Sequence, residues 1–246
     1  MTIDHKRILH YINELLKADQ IEDGSFNGLQ VEGTRAVKKI ATAVTASLYV
    51  IEQAIKLNAD ALIVHHGLFY GPVVHVQGTM RKKLAALLDS GMHLFAYHLP
   101  LDASREVGNA WPIAKKLGCK KVESFLEFGI IGEISPQPVE DIQKALSKIW
   151  KAPGQLVKPS DRKVKKLALV TGSGHKFFGK AIAAGVDCFI TGTADEPQWH
   201  MAREENVHFL SYGHAATEKT GVQLLGKHLS KKFGLKEFFI DESNPF

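Results

Sequence analysis

Two stretches of this chain follow one plan, and that repetition constrains its fold more than any other feature. The first reads as a strand at Lys39-Ile-Ala-Thr-Ala-Val, a helix from Ser47 to Leu57 and a second strand over Ala59-Asp60-Ala-Leu-Ile-Val-His65. A helix over Thr79 to Ser90 then leads through Gly91 into a strand from Met92 to Tyr97. Leu48, Ile51 and Ile55 fall at helical spacing, and Ser47 suits the N-cap, where its hydroxyl can accept a bond from the first turn. The second stretch repeats the order: strand Lys166 to Thr171, helix Lys176 to Ala184, strand Val186 to Thr191, helix Gln198 to Glu205, strand Val207 to Tyr212. Each reads β-α-β-α-β, with strands short and apolar enough to be covered on both faces. The expected fold class is therefore α/β: two similar α/β lobes related by an internal repeat, residues 1–125 and 126–246. Gly129 to Pro138 and Pro153 to Pro159 read as the softer connection, and Val139 to Trp150 as a helix.

Composition narrows the class. A chain of 246 residues with 45% hydrophobic and 23% charged residues has material for a sizeable core. No apolar run approaches the roughly 18 residues that span a bilayer. The N-terminus is charged early, lacks the apolar core of a signal peptide and looks like an amphipathic helix reaching Lys17, so a cytoplasmic protein without membrane contact is expected. Cys119 and Cys188 stand far apart beside apolar neighbours and read as buried thiols. The net charge of +5 is mild, and the clusters Lys163-Val-Lys165-Lys166 and Lys227 to Lys232 read as solvated helix faces. That balance lends a nucleic-acid partner only weak support.

Chemistry in open α/β sheets gathers at the carboxyl ends of strands. There the first half carries His65-His66-Gly67 and His98-Leu-Pro-Leu-Asp102, and the second carries Thr191-Gly-Thr-Ala-Asp195-Glu196 and His214-Ala-Ala-Thr-Glu218. Both third strands close with a histidine followed four residues later by a carboxylate, a coincidence that packing alone does not produce. Neutral imidazoles at such ends are good ligands for Zn, Fe, Mn and similar metals. Neighbours on a strand point to opposite faces, so His65 and His66 reach one site only where the strand gives way to loop, or they serve two metals. His214 and Glu218 share a face if both are helical; alternatively Thr217 is the N-cap and His214 lies in the preceding turn. Pro100 disfavours helix at Leu99, which puts His98 and Asp102 on a bend.

Five or six mixed N and O donors exceed the three protein ligands that a catalytic Zn usually takes. A pair of divalent ions about 3.5–4 Å apart, with Glu218 bridging, fits better and would lower the pKa of a shared water. The reaction class implied is hydrolysis of a phosphoester, amide or ring C–N bond. His98 reads as an orienting group or a proton carrier. His5, His10, His75, His93, His175, His200, His208 and His228 read as surface or packing residues. Gly172-Ser-Gly174 lacks the Lys-Ser/Thr of a phosphate loop and reads as a plain turn. Asp195 and Glu196 are either secondary acidic groups or the start of a helix at Pro197. Tyr70, Trp111, Trp150 and Trp199 read as core or interface aromatics.

With these residues in hand, the sequence resembles the dinuclear-metal family of GTP cyclohydrolase 1 type 2 homologues, the Nif-three-like proteins, over essentially its whole length. The matching stretches are Asn27-Gly-Leu-Gln-Val-Glu-Gly33, Val64-His-His-Gly67, Ala96-Tyr-His-Leu-Pro-Leu-Asp102, Asn109 near Leu117-Gly118, Thr171-Gly-Ser-Gly174, Asp187 to Gly192 and Gly213-His-Ala-Ala-Thr-Glu218. The resemblance implies that His65, His66, Asp102, His214 and Glu218 ligate two divalent ions (Zn, Fe, Mn, Co or Ni), with His98 beside them. It also implies two related α/β lobes with the metal site between them and no inserted domain, assembled as a toroidal homohexamer whose sites face an inner cavity. Thr193 stands where many relatives have an acidic residue, and Ala215 where a second histidine or an aromatic is common; neither departure removes a ligand. The function expected is a metal-dependent hydrolase acting on a nucleotide or related small molecule, with His98 moving protons. The rival is a non-catalytic, ring-shaped metal-binding regulator or interaction protein, since no substrate-pocket motif is evident.

Overall fold

The computed structural model describes residues 2–71 and 75–246, which divide into two compact units. The first comprises the chain up to Gly108 together with Thr220–Ser243, and the second Asn109–Lys219 with Asn244–Phe246. This differs from a cut at 125/126. Strand β11 (Lys236–Phe239) pairs in parallel with β2 (Lys39–Thr45), which carries the C-terminal segment into the first unit. Strand β5 (Lys120–Phe125) pairs antiparallel with β6 (Gly129–Gln137), which draws residues before 126 into the second. In both cases a sheet edge recruits a strand by backbone hydrogen bonds, whatever its place in the sequence.

In the first unit the described residues form a five-stranded sheet of order β1-β4-β3-β2-β11, where β1 is Gly28–Val31, β3 Ala61–His66 and β4 His93–Ala96. All neighbours are parallel except β1 on β4. Side chains alternate across this sheet as strand geometry requires. Ile40, Ile63 and Phe95 pack with Ile8, Ile12 and Leu16 of α1 (His5–Leu16) and with Val222, Leu225 and Leu229 of α9 (His214–Phe233). Ala41, Ala43, Leu62, Val64 and Leu94 pack instead with Val50, Ile51 and Ala54 of α2 (Leu48–Lys56) and with Leu87 of α3 (Gly78–Ser90). Ser47 caps α2 as expected, its side chain accepting from the Val50 N–H at 3.1 Å.

In the second unit they form a six-stranded sheet of order β5-β6-β8-β9-β10-β7, where β7 is Gln155–Val157, β8 Val164–Val170, β9 Cys188–Thr191 and β10 His208–Ser211. Only β8, β9 and β10 run parallel to one another. One face packs on α5 (Ala110–Lys116) and α6 (Val139–Trp150), through Ile113, Ile142 and Leu146. The other packs on α7 (Phe178–Ala183) and α8 (Glu196–Glu204), through Phe178 and Ala202. The stretch from Gly129 to Pro138, expected as a connection, is almost wholly the long strand β6, and β7 arises inside the second expected connection.

The repeat reaches individual hydrogen bonds. Asp60 opens β3 and its Oδ2 accepts from the Lys38 and Lys39 amides at 2.8 and 2.9 Å; Asp187 opens β9 and its Oδ2 accepts from Lys165 and Lys166 at the same two distances. Arg35 pairs with Asp60 and Arg162 with Asp187. His93 and His208 each donate from Nε2 to a carbonyl, that of Arg35 and Arg162 respectively, both at 2.8 Å. These two buried histidines are packing residues at strand starts, as their sequence context suggested.

Candidate metal centre

The carboxyl end of β3 holds His65 and His66 in the first unit. Their rings lie 4.7 Å apart between centroids, although they are strand neighbours, because the strand ends at His66. Gly67 makes the exit possible: a Cβ there would run into the Gln30 side chain and approach Ala96 Cβ at 2.6 Å. His65 is fully buried and its Nδ1 donates to the Tyr97 carbonyl at 2.9 Å, so Nε2 carries the lone pair in the neutral ring. His66 Nδ1 meets the Thr45 hydroxyl at 3.0 Å. Asp102 brings Oδ2 to 3.4 Å from His65 Nε2.

Asp102 sits on α4 (Leu99–Ala103), a short helix with His98 at its N-cap. The expected bend is therefore a helical turn. Pro100 lies in the first turn, where a helix has no use for its missing N–H. The His98 ring lies 5.0 Å from that of His65 and 5.7 Å from that of His66. Each of the three histidines offers a nitrogen, all within 4.8 Å of one another.

Asp23, which carried no motif of its own in the sequence, holds His98. Its Oδ1 takes the His98 Nδ1 bond at 2.9 Å, and Oδ2 accepts from the Leu99 amide at 2.9 Å and from Asn27 Nδ2 at 3.0 Å. Burial pushes this carboxyl up, but the hydrogen bonds from His98 and Asn27, the attraction of His98 and the Leu99 N–H overrule it and hold the group at about 2. The folded value lies below the reference 3.8, so the unfolded chain binds the proton more readily and the stabilisation is lost as pH falls from about 4 to about 2. Over that window the urea midpoint of the wild type is expected to fall more steeply than that of Asp23→Asn. Parallel curves would show that this carboxylate contributes nothing to the acid response.

In the second unit α9 begins at His214, so His214 and Glu218 lie one turn apart on one face, with Nε2 and Oε2 at 3.1 Å. Thr217 is not the N-cap. Its Oγ1 lies 3.1 Å from the Gly213 carbonyl and 2.9 Å from that of His214, and accepts from Gly172 N at 3.0 Å. Ser173 Oγ meets His214 Nδ1 at 3.1 Å. Gly172 has φ +59°, and a Cβ there would strike the Glu218 carboxylate, so the glycine-rich stretch is a turn shaped around Glu218. Asp195 is the N-cap of α8, with its amide bonded to Gln198 Oε1 at 2.9 Å.

The family model of Duf34/NIF3 (NGG1p interacting factor 3) matches residues 3–245. The chain belongs to the NIF3 family. It is 41% identical over 247 residues to a "GTP cyclohydrolase 1 type 2 homolog" of Chlamydia muridarum, covering 97% of this chain and 98% of that one. Among solved structures it is similar to protein ybgI, described as of unknown function, at 37% identity and a TM-score of 0.92 over 100% of both chains. It is also similar to TTHA1606 from Thermus thermophilus, at 31% identity and a TM-score of 0.92 over 99% of this chain and 100% of that one.

The donors of this NIF3 chain suit a divalent transition metal. Imidazole nitrogens and carboxylate oxygens are the ligand types such ions accept. The N···O separations of 3.4 Å and 3.1 Å match neighbouring ligands on an ion with bonds of about 2.0–2.2 Å. Sequence reading selected these histidines and carboxylates but missed Asp23, Thr45, Tyr97 and Ser173, each of which touches the Nδ1 of one imidazole. Their only sequence signal is proximity to a strand end or turn. Thr45→Val, which keeps the shape and deletes the hydroxyl on His66, is expected to weaken metal affinity about 10–100-fold. Competition against a chromophoric chelator would show it, and an unchanged affinity would remove Thr45 from the site.

Proposed function

We propose that this protein is a metal-dependent hydrolase in which His65, His66, Asp102, His214 and Glu218 together hold a pair of divalent ions. The observation that carries the reading is common to four imidazoles: His65, His66, His98 and His214 each have Nδ1 engaged by a neighbouring oxygen at 2.9–3.1 Å, which makes Nε2 the candidate ligand atom of each ring. Such outer bonds orient each ring before an ion arrives, and for His65 and His98, whose partners only accept, they also set the tautomer. Two of those Nε2 atoms already lie beside a carboxylate oxygen.

Bound there, divalent ions supply Lewis acidity and a water acidified towards neutral pH. The chain supplies the rest. Asp102 and Glu218 balance the positive charge, and buried His65 shuts bulk water out on its side. His98 Nε2 takes the proton of the attacking water and returns it to the leaving oxygen or nitrogen as the scissile bond breaks. The names of the relatives point to GTP or another small nucleotide or heterocycle as substrate. The ring-shaped homohexamer belongs to the same reading and is checked by light scattering.

The test is elemental analysis of the native protein and of Glu218→Ala, before and after reconstitution with Zn2+, Mn2+ and Fe2+. Two ions per chain natively, falling in the variant, would support the reading, and GTP would be the first substrate offered. No metal bound, and none gained on reconstitution, would overturn it in favour of an interaction protein.

A further inference from the structure

We infer that Asp23 is the positioning residue of His98, fixing its ring in the tautomer that carries the proton on Nδ1 and leaves Nε2 free to react. The inference rests on the hydrolase reading for its purpose, but its geometry lies wholly within the first unit. Asp23 has a side chain only 3% exposed, and both its oxygens are filled. Oδ1 accepts from His98 Nδ1 and from Ser25 N at 3.1 Å, and Oδ2 from Leu99 N and Asn27 Nδ2. The Ser25 and Leu99 amides and the Asn27 amide nitrogen can only donate, and an ionised carboxylate can only accept, so the hydrogen of the fourth bond belongs to His98 Nδ1.

Asn27 closes the clamp from the other side, its Oδ1 accepting from the His98 backbone N–H at 2.7 Å. Asp23 and Asn27 thus hold the main chain of residue 98, the next amide and the ring. His98 is also set apart from the other three imidazoles. Theirs are held by neutral oxygens, the Tyr97 carbonyl and the Thr45 and Ser173 hydroxyls, whereas His98 is held by a carboxylate. Charge-assisted bonds are roughly twice as strong as neutral ones, so this ring has the strongest single partner of the four. Neutral partners suffice for ligands that an ion will itself hold in place. In the proposed assignment His98 is not a ligand, and the carboxylate orients its ring as in dyads built around a general base.

Asparagine at 23 cannot reproduce the arrangement. Whichever way its amide turns, its NH2 faces two donors, so bonds on one side are lost. The experiment is 15N-histidine labelling of the full chain with two-bond 1H–15N spectra, His98 being assigned by loss of its signals in His98→Gln. Wild type is expected to show His98 as a single Nδ1–H tautomer, and Asp23→Asn to show a mixture. In the Mn2+-loaded protein with bis(p-nitrophenyl) phosphate as probe, Asp23→Asn is expected to lower kcat about 10–1000-fold, part or all of what a positioned acid–base group supplies. KM and metal per chain should stay within twofold, a split that general unfolding would not give. A wild-type His98 protonated on Nε2 would overturn the inference without recourse to any variant, as would an unchanged tautomer in Asp23→Asn. Failure to load metal would instead sink the hydrolase reading, leaving the tautomer result to stand or fall separately.

Discussion

His65→Ala is expected to weaken metal binding by more than about 100-fold, beyond the 10–100-fold typical when only the partner of a ligand is lost. Three consequences follow from removing this one ring. Nε2, beside Asp102 at 3.4 Å, disappears as a donor. The carboxylate of Asp102 loses its neighbour. The Tyr97 carbonyl loses the N–H that satisfied it, which costs about 1–3 kcal/mol for a buried acceptor. Elemental analysis and chelator competition read the first effect, and the melting temperature reads the last. His66→Ala is the comparison, because His66 is less buried and its Nδ1 partner is a hydroxyl that solvent can satisfy. Metal content unchanged in both variants would remove the β3 histidines from the site.

Phe189→Ala is expected to destabilise the protein by about 3–5 kcal/mol, the usual range for deleting a buried aromatic. The Phe189 ring is fully buried and stacks on Phe178 at 5.5 Å, with Phe209 at 5.9 Å. These rings belong to the cluster that packs the α7/α8 face of the second sheet. Against a typical total of about 5–15 kcal/mol, the loss would shift the urea midpoint by a large fraction of its value. A shift below about 1 kcal/mol would mean that the face repacks freely.

Much of this molecule is legible along the chain. The parallel strands β2, β3, β4, β8, β9 and β10 were readable because each is a short apolar run between turn signals, alternating with helical spacing. Helix α6 matches its expected span at both ends, where apolar residues recur at helical intervals. The strands that escaped reading are the flanking ones. β5 has the burial of a strand mostly open to solvent, and β6 is broken by glycine and followed by proline, so neither shows a clean alternation. β11 follows a long lysine-rich helix and finds its place only by pairing with β2, nearly two hundred positions earlier.

Sequence alone determined the two β-α-β-α-β repeats, the strand ends that carry His65, His66, His98, Asp102, His214 and Glu218, and the likeness to one family over the whole chain. Those properties depend on local periodicity and on residue type, which are written in consecutive positions. Tertiary structure alone decided that residues 220–243 join the first unit, that His98 opens a helical turn, and that Asp23 rather than any histidine-rich motif holds it. These depend on hydrogen bonds between atoms far apart in the chain, and a donor or acceptor gives no sign in the sequence of where its partner will be found.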